Sequence, residues 1–262
     1  MIAIPLIAAA AATATLWAAG DGANGSAPSK AVAAMIARDH PDRFLYLGDV
    51  YPVGSAEAFR TAYDPVYGRL AARTAPTPGN HDWGPRADGY LPYWKRKRGH
   101  RLAAWYAFDL GGWRILSLNS EAPHGPGSAQ LGWLRRELAG EGGTGNCRLA
   151  FWHRPRFSAG TVHGDQRDMA PLWGALRGHA AVLLNGHEHD LQRFAARDGL
   201  VEVVAGAGGN GHYALDSRRR GLAFGDATHY GAARIALQPG SAHVELVARG
   251  GKVLDRTDIS CD

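Results

Sequence analysis

Five short apolar runs in this chain each stop at a residue that binds metal ions well. "LWAAGD" ends at Asp21 and "FLYLGD" at Asp49. "RTAPTPGNHD" delivers Asn80, His81 and Asp82; "RLAFWH" ends at His153; "AVLLNGHEH" supplies His187 and His189. A polar residue after a strand is by itself an ordinary turn or cap, and a lone histidine is usually satisfied locally. The repetition is the constraint. In an open α/β sheet the loops at the carboxyl ends of the strands converge on one crevice, so side chains far apart in sequence meet there.

The remaining pattern agrees with an α/β chain. Strands are expected at Thr15–Ala19, Phe44–Leu47, Trp105–Leu110, Trp113–Leu118, Arg148–Trp152, Ala180–Leu184 and Val201–Val204. Helical spacing fits Ser29–Asp39, Ala56–Ala72, Ser128–Leu138 and Asp165–Leu176, and Tyr230–Ile259 reads as a strand meander turning at "QPGS". At 262 residues, 45% of them hydrophobic, the chain suits one domain with a substantial core. "GAGGNG" (Gly206–Gly211) follows a strand but no helical pattern follows it, which argues for a loop near the site over a dinucleotide fold.

The first 19 residues carry no charged side chain. Residues 1–14 read as a signal peptide or an Ala-rich lead, with "ATA" (Ala12–Ala14) as an acceptable cleavage pattern, and 15–262 as the single domain. Pro5 and the alanine content make the segment a poor membrane anchor, so no stable span is expected; export to a secreted, periplasmic or cell-surface location is. Cys147 and Cys261 leave two readings open: a disulfide stapling the C-terminus in an exported chain, or two free thiols in a cytosolic one.

Grouped carboxylates, histidines and an amide point to hydrolytic metal chemistry. Two cations about 3.5–4 Å apart need a bridging anion, and a strand-end carboxylate can turn one oxygen to each ion. Asp49 is the natural bridge. Neutral His and Asn donors leave the site positive enough to acidify water and hold a phosphoryl oxygen.

The order "GD", "GDVY", "PGNHD", "FWHRP", "GHEH" resembles the calcineurin-like metallophosphoesterases, and most nearly their purple-acid-phosphatase-like branch, whose motifs are GDxG, GDxxY, GNH(D/E), VxxH and GHxH. The resemblance covers Thr15 to His189 and implies a four-layer α/β/β/α sandwich of mixed sheets with two metal ions, iron, manganese or zinc, between the sheets. It places Asp21, Asp49 and His189 on the first ion and Asp49, Asn80, His153 and His187 on the second. His81 would be the general acid or charge stabiliser, with Asp82 orienting it, and His163 in "SAGTVHGD" resembles a substrate-side histidine. The chain departs from the pattern twice. Ala23 stands two residues after Asp21, where many non-purple relatives have a histidine ligand, and Tyr51 follows Asp49 by two residues instead of three, with Pro52 in the usual tyrosine place. Pro52 should keep Tyr51 extended, either carrying its phenol to the ion that Asp49 binds or packing it on the site wall.

The implied activity is hydrolysis of phosphorylated small molecules, most simply monoesters. The basic runs "KRKRGHR" (Lys95–Arg101) and "SRRR" (Ser217–Arg220), in a chain of net charge +5, keep a phosphodiesterase or nuclease in view, with nucleic acid as substrate only. A secreted metal-stabilised binding protein without turnover is the third reading. "NSEAPHG" (Asn119–Gly125) is a possible rim segment.

Overall fold

The computed structural model describes residues 13–84, 87–140 and 147–261. The lead expected over residues 1–14 therefore lies outside the described residues as far as residue 12, and Ala14 is already the first residue of a strand.

Two mixed sheets pack face to face. The strands are β1 (Ala14–Ala19), β2 (Arg43–Tyr46), β3 (Thr74–Pro76), β4 (Tyr106–Leu110), β5 (Trp113–Ser117), β6 (Arg148–Phe151), β7 (Val182–Asn185), β8 (Leu191–Phe194), β9 (Val201–Ala205), β10 (Leu222–Asp226), β11 (Gly231–Gln238), β12 (Ser241–Ala248) and β13 (Val253–Ser260). The first sheet runs β13-β12-β11-β1-β2-β3 and the second β10-β8-β9-β7-β6-β5-β4. β1, β2 and β3 are mutually parallel, as are β5, β6, β7 and β9. Each sheet thus delivers several strand ends to one edge.

Alternation along the strands builds the layers. Leu16 and Ala18 of β1 face the core between the sheets, joined from the other side by Leu149 and Phe151 of β6. Their neighbours Trp17 and Ala19, or Ala150 with the following Trp152, face outward onto helices. α1 (Ala27–Arg38), α2 (Ala56–Ala58), α3 (Asp64–Tyr67) and α4 (Tyr90–Arg98) belong with the outer face of the first sheet; α5 (Ala129–Ala139) and α6 (Ala170–Leu176) cover the second. The result is a four-layer α/β/β/α sandwich.

The departures from expectation have local causes. The helix expected over Ala56–Ala72 is broken into α2, a π turn at Phe59–Tyr63, α3 and a 3₁₀ stretch at Gly68–Arg73. Pro65 in the first turn of α3 has no N–H to continue the ladder, so the chain resets around it. α4 was not anticipated, because "KRKRGHR" reads as a solvated loop. In the fold Tyr90, Tyr93 and Trp94 bury one side of that helix, while Lys95–Arg98 form its last turn before the left-handed Gly99, φ 75°. Cations there suit the negative end of the helix dipole. The sequence pattern marks no strand at β3, β8 or β10; β3 has only 3 residues and β8 only 4. Among the described residues no helix is long and apolar enough to cross a membrane.

Cys147 and Cys261 form a disulfide with Cα atoms 4.9 Å apart, tying the residue before β6 to the residue after β13 across a sequence separation of 114. By the chain-entropy relation a loop of that length is worth roughly 5 kcal/mol, and measured bridges usually deliver about 2–4 kcal/mol. The Cys147→Ser/Cys261→Ser protein should accordingly lose about 2–5 kcal/mol in urea unfolding. An unchanged midpoint would show that the bridge adds nothing to the core.

Candidate metal centre

The loops that follow β1, β2, β3, β6 and β7 bring the strand-end residues together. Three of them leave their strands through left-handed backbone: Asp21 at φ 58°, Asp49 at 73° and His187 at 70°. Non-glycine residues rarely hold that conformation, at a cost on the order of 1–3 kcal/mol each, and they persist where surrounding contacts fix them. Those contacts are visible. Asp21 Oδ2 accepts the His187 backbone N–H at 2.7 Å, and Asp49 Oδ1 accepts that of His81 at 2.9 Å. Gly79 must be glycine, since a Cβ there would lie 2.1 Å from Asp49 Oδ1.

Four donors meet at one point. His153 is fully buried, and its Nδ1 lies 2.8 Å from the Leu47 carbonyl oxygen. A carbonyl only accepts, so Nδ1 carries the proton and Nε2 presents a lone pair. That Nε2 sits 3.0 Å from Asn80 Oδ1, 3.1 Å from His187 Nδ1 and 3.4 Å from Asp49 Oδ2. Asp49, His153 and His187 offer ligand atoms all within 4.8 Å of one another, every one of them buried. A carboxylate, an amide oxygen and two imidazole nitrogens aimed at one spot have lone pairs for each other and too few protons, the donor set of a divalent cation.

A second group adjoins the first through Asp49. His189 Nδ1 donates to the Gly211 carbonyl at 2.6 Å, leaving Nε2 free 3.6 Å from Asp21 Oδ1. The Tyr51 hydroxyl lies 2.8 Å from that Nε2, 3.1 Å from Asp21 Oδ1 and 3.4 Å from Asp49 Oδ2. The phenol thus arrives among the donors despite the shortened spacing, but not by the extended route expected. β2 ends at Tyr46 and Asp49 is left-handed; beyond it Val50 forms a parallel bridge with Ala23, and the Tyr51 N–H donates to the Ala23 carbonyl at 2.9 Å.

The charges show what the cluster lacks. Burial pushes the His153 imidazole toward its neutral form, but the adjacent Asp49 carboxylate outweighs that and carries its pKa up to about 10. His187 goes far the other way, driven down by burial and by His153 beside it. Burial, then the Asp21 and Asp49 charges, hold the Tyr51 phenol well above its ordinary value. Asp49 resists burial through His153 and His81 and stays below the ordinary carboxylate value. The site favours positive charge at its centre.

His81 and Asp82 part company. The His81 ring, 36% exposed, has Nδ1 2.6 Å from the Pro52 carbonyl and Nε2 3.9 Å from Asp49 Oδ2. The Pro52 carbonyl therefore orients it, in place of the expected Asp82. The Asp82 carboxylate is fully buried and accepts backbone N–H groups of Asp49 at 2.7 Å, Val50 at 2.9 Å and Gly79 at 3.1 Å. Burial and the Asp49 charge raise its pKa to about 7. It splices the loops after β2 and β3.

His163 lies exposed at the rim, its ring stacked on His187 with centroids 4.1 Å apart. Tyr213, which no sequence pattern marked, stacks on His189 at 4.0 Å and meets His163 edge-on at 5.4 Å. In "NSEAPHG", Glu121 pairs with Arg154, one residue after His153, at 2.7 Å. The "GAGGNG" segment forms a loop beside the centre, with the Asn210 N–H donating to the Asp21 carbonyl at 2.9 Å.

The calcineurin-like phosphoesterase family profile matches residues 18–191, the span holding every strand-end donor. No curated protein matches the chain in sequence. Among solved structures the chain is similar to the purple acid phosphatase PPD1 from yellow lupin (Lupinus luteus) seeds, with a TM-score of 0.79 at 16% identity over 96% of this chain and 54% of the lupin one. It is also similar to GAP50, the anchor in the inner membrane complex of Plasmodium (TM-score 0.77, 13% identity, 95% of this chain and 89% of that one). A dimetal phosphatase from Danio rerio follows (TM-score 0.63, 14% identity, 95% and 99%). The chain spans about half the length of the lupin protein, and at these identities the likeness is one of fold.

Asp82→Ala should strand three buried backbone N–H groups and release Asp49, lowering urea stability by about 3 kcal/mol or more at roughly 1–3 kcal/mol per orphaned group. Bound metal, measured on the purified protein, should fall with it. Wild-type stability in that variant would move Asp82 out of the scaffold.

Proposed function

Because the chain belongs to the calcineurin-like phosphoesterase family, we propose that it hydrolyses phosphate monoesters at a two-cation centre. The observation that carries this reading is the convergence of Asp21, Asp49, Asn80, His153, His187 and His189 into one buried cluster with the His81 imidazole open at its edge. In this reading Asp49, Asn80, His153 and His187 hold one cation and Asp21, Asp49, His189 and Tyr51 the other. Divalent cations in such a site supply Lewis acidity toward a phosphoryl oxygen and lower the pKa of water.

The chain's own groups do the rest. Nδ1–H of His81, fixed on the Pro52 carbonyl, keeps the ring's plane constant, so in the imidazolium form Nε2–H is the group that gives its proton to the departing alkoxide, leaving the neutral ring. His163, held against His187, offers its ring N–H to a non-bridging phosphoryl oxygen. Asp82 acts through Asp49 and touches no substrate. A non-catalytic binding protein would have no use for an imidazole presented at the mouth of the cluster.

Monoesters are favoured over nucleic acid because much of the basic surface is already engaged. Lys97 pairs with Asp64 at 2.8 Å, Arg219 with Asp165 at 2.6 Å, and Arg98 donates to the Thr74 carbonyl. An exported location belongs to the same reading, supported by the Cys147–Cys261 bridge and the uncharged lead. Protein reconstituted separately with iron, manganese and zinc should turn over 4-nitrophenyl phosphate faster than the bis(4-nitrophenyl) diester or single-stranded DNA. The reverse order, with a steep fall in rate as salt rises, would establish the diesterase reading instead.

His81→Ala should keep its metal and its fold while losing roughly 10²–10⁴-fold in rate on alkyl phosphates, the range of general acid catalysis. Aryl phosphates, whose leaving groups scarcely need a proton, should lose much less. Equal losses on both classes would remove the acid role from His81.

A further inference from the structure

The segment "HEHDLQ", His187 to Gln192, carries two sets of side chains on alternating positions. His187 and His189 turn to the metal centre. The three between and beyond them, Glu188, Asp190 and Gln192, build a different contact, with the segment Ser158–Asp165 that contains His163. Gln192 Oε1 accepts the Ala159 N–H at 2.7 Å, and its Nε2 donates to both oxygens of Asp190, at 2.8 and 2.9 Å. Glu188 is fully buried; its Oε1 accepts the Gly164 N–H at 2.7 Å, and the Ser158 hydroxyl and the His163 backbone N–H also face its carboxylate. The carboxylate lies against Gly160, where an added Cβ would stand 2.2 Å from Oε2.

We propose that Glu188 is a positioning residue for His163: its carboxylate pins the turn at Gly164 and so holds the imidazole against His187, where it meets the phosphoryl group. The inference rests on the phosphoesterase reading for what His163 touches, and on contacts alone for what Glu188 does. Gly164 is left-handed at φ 63°, so the chain reverses immediately after His163 and the ring's direction is set by that turn. His163 is itself exposed; its ring touches His187 and the edge of Tyr213, and among the described residues no hydrogen bond reaches its ring nitrogens. Its orientation depends on the backbone behind it. Leucine would fill the same space without bringing another carboxylate near Asp21. A buried carboxylate is costly, so its hydrogen bonds to the loop are the contribution that packing does not duplicate.

Substitutions at Glu188 and Gly160, alone and on a His163→Ala background, test this. Glu188→Ala should bind the wild-type amount of metal but bind inorganic phosphate roughly tenfold more weakly, and raise KM more than it lowers kcat, as expected for loss of one charged hydrogen bond that places a binding group. In histidine-labelled NMR spectra the upfield ring-proton shifts that stacking on His187 gives His163 should disappear. Glu188→Gln, which keeps an acceptor oxygen for Gly164, should restore both the shifts and phosphate affinity to within about threefold. Gly160→Ala, which displaces the carboxylate from outside, should reproduce the alanine variant if that one folds poorly. On a His163→Ala background, Glu188→Ala should add no further loss of phosphate affinity. Loss of metal as the main effect, unchanged ring shifts, or additive losses in the double variant would overturn the proposal. A wild type that neither binds phosphate nor hydrolyses esters would refute the phosphoesterase reading separately, while the ring shifts would still report whether Glu188 holds His163.

Discussion

The Asp49 carboxylate is the point at which both sheets and both donor groups meet, and much of the edge is arranged to keep an anion there. It is 2% exposed, so nearly all of its hydration is gone. Compensation comes from several directions: the His81 N–H on Oδ1 at 2.9 Å, then His153 and the Tyr51 hydroxyl, each 3.4 Å from Oδ2. Its own backbone N–H is taken by Asp82 at 2.7 Å, and its left-handed φ of 73° turns the side chain back over the strand end. No single contact would offset burial of the charge; together they fix its place before any cation binds.

Three backbone carbonyls give the histidines their chemistry. Leu47 receives Nδ1–H of His153, Gly211 that of His189 and Pro52 that of His81. In each case the ring is fixed in direction and the remaining nitrogen, Nε2, is turned to the centre, with a lone pair to offer in the neutral ring. The Leu47 contact also crosses from the loop after β2 in one sheet to the strand end of β6 in the other. Ligand orientation and sheet packing are therefore one constraint, and a shift of either sheet along its strands would turn His153 away from Asp49.

What could be read from sequence follows from which groups act as side chains. Asp21, Asp49, Asn80, His153, His187 and His189 were legible because each is a donor standing a few residues past an apolar run, and a strand end carries direction. The layers were legible through alternation, with Leu16 and Ala18 inward and Trp17 outward. Tyr51 was legible as a residue and not as a path, since the left-handed turn at Asp49 has no signature in a non-glycine residue. Asp82 was visible beside the histidine, but its partners are backbone N–H groups, which leave no trace in residue type. Glu188 was hidden for the same reason. The carbonyls of Leu47, Gly211 and Pro52 are present at every position of every chain, so nothing marks the ones that matter. α4 escaped because its buried face is a single stripe, Tyr90, Tyr93 and Trp94, next to four consecutive cations.

His153 and His187 lie with ring nitrogens 3.1 Å apart and are driven in opposite directions, one up to about 10 and the other far down. The asymmetry follows from position: His153 is against the Asp49 carboxylate, while His187 is driven down by burial and then by the positive charge of His153. A proton on His153 can balance Asp49, but it occupies the nitrogen that must donate a lone pair. A divalent cation balances the same carboxylate and accepts both nitrogens at once, removing the repulsion between them. None of the donors belongs to the hydrophobic clusters on either side. The unbalanced charge at this edge is therefore a cost carried by the sandwich, and a bound cation would relieve it.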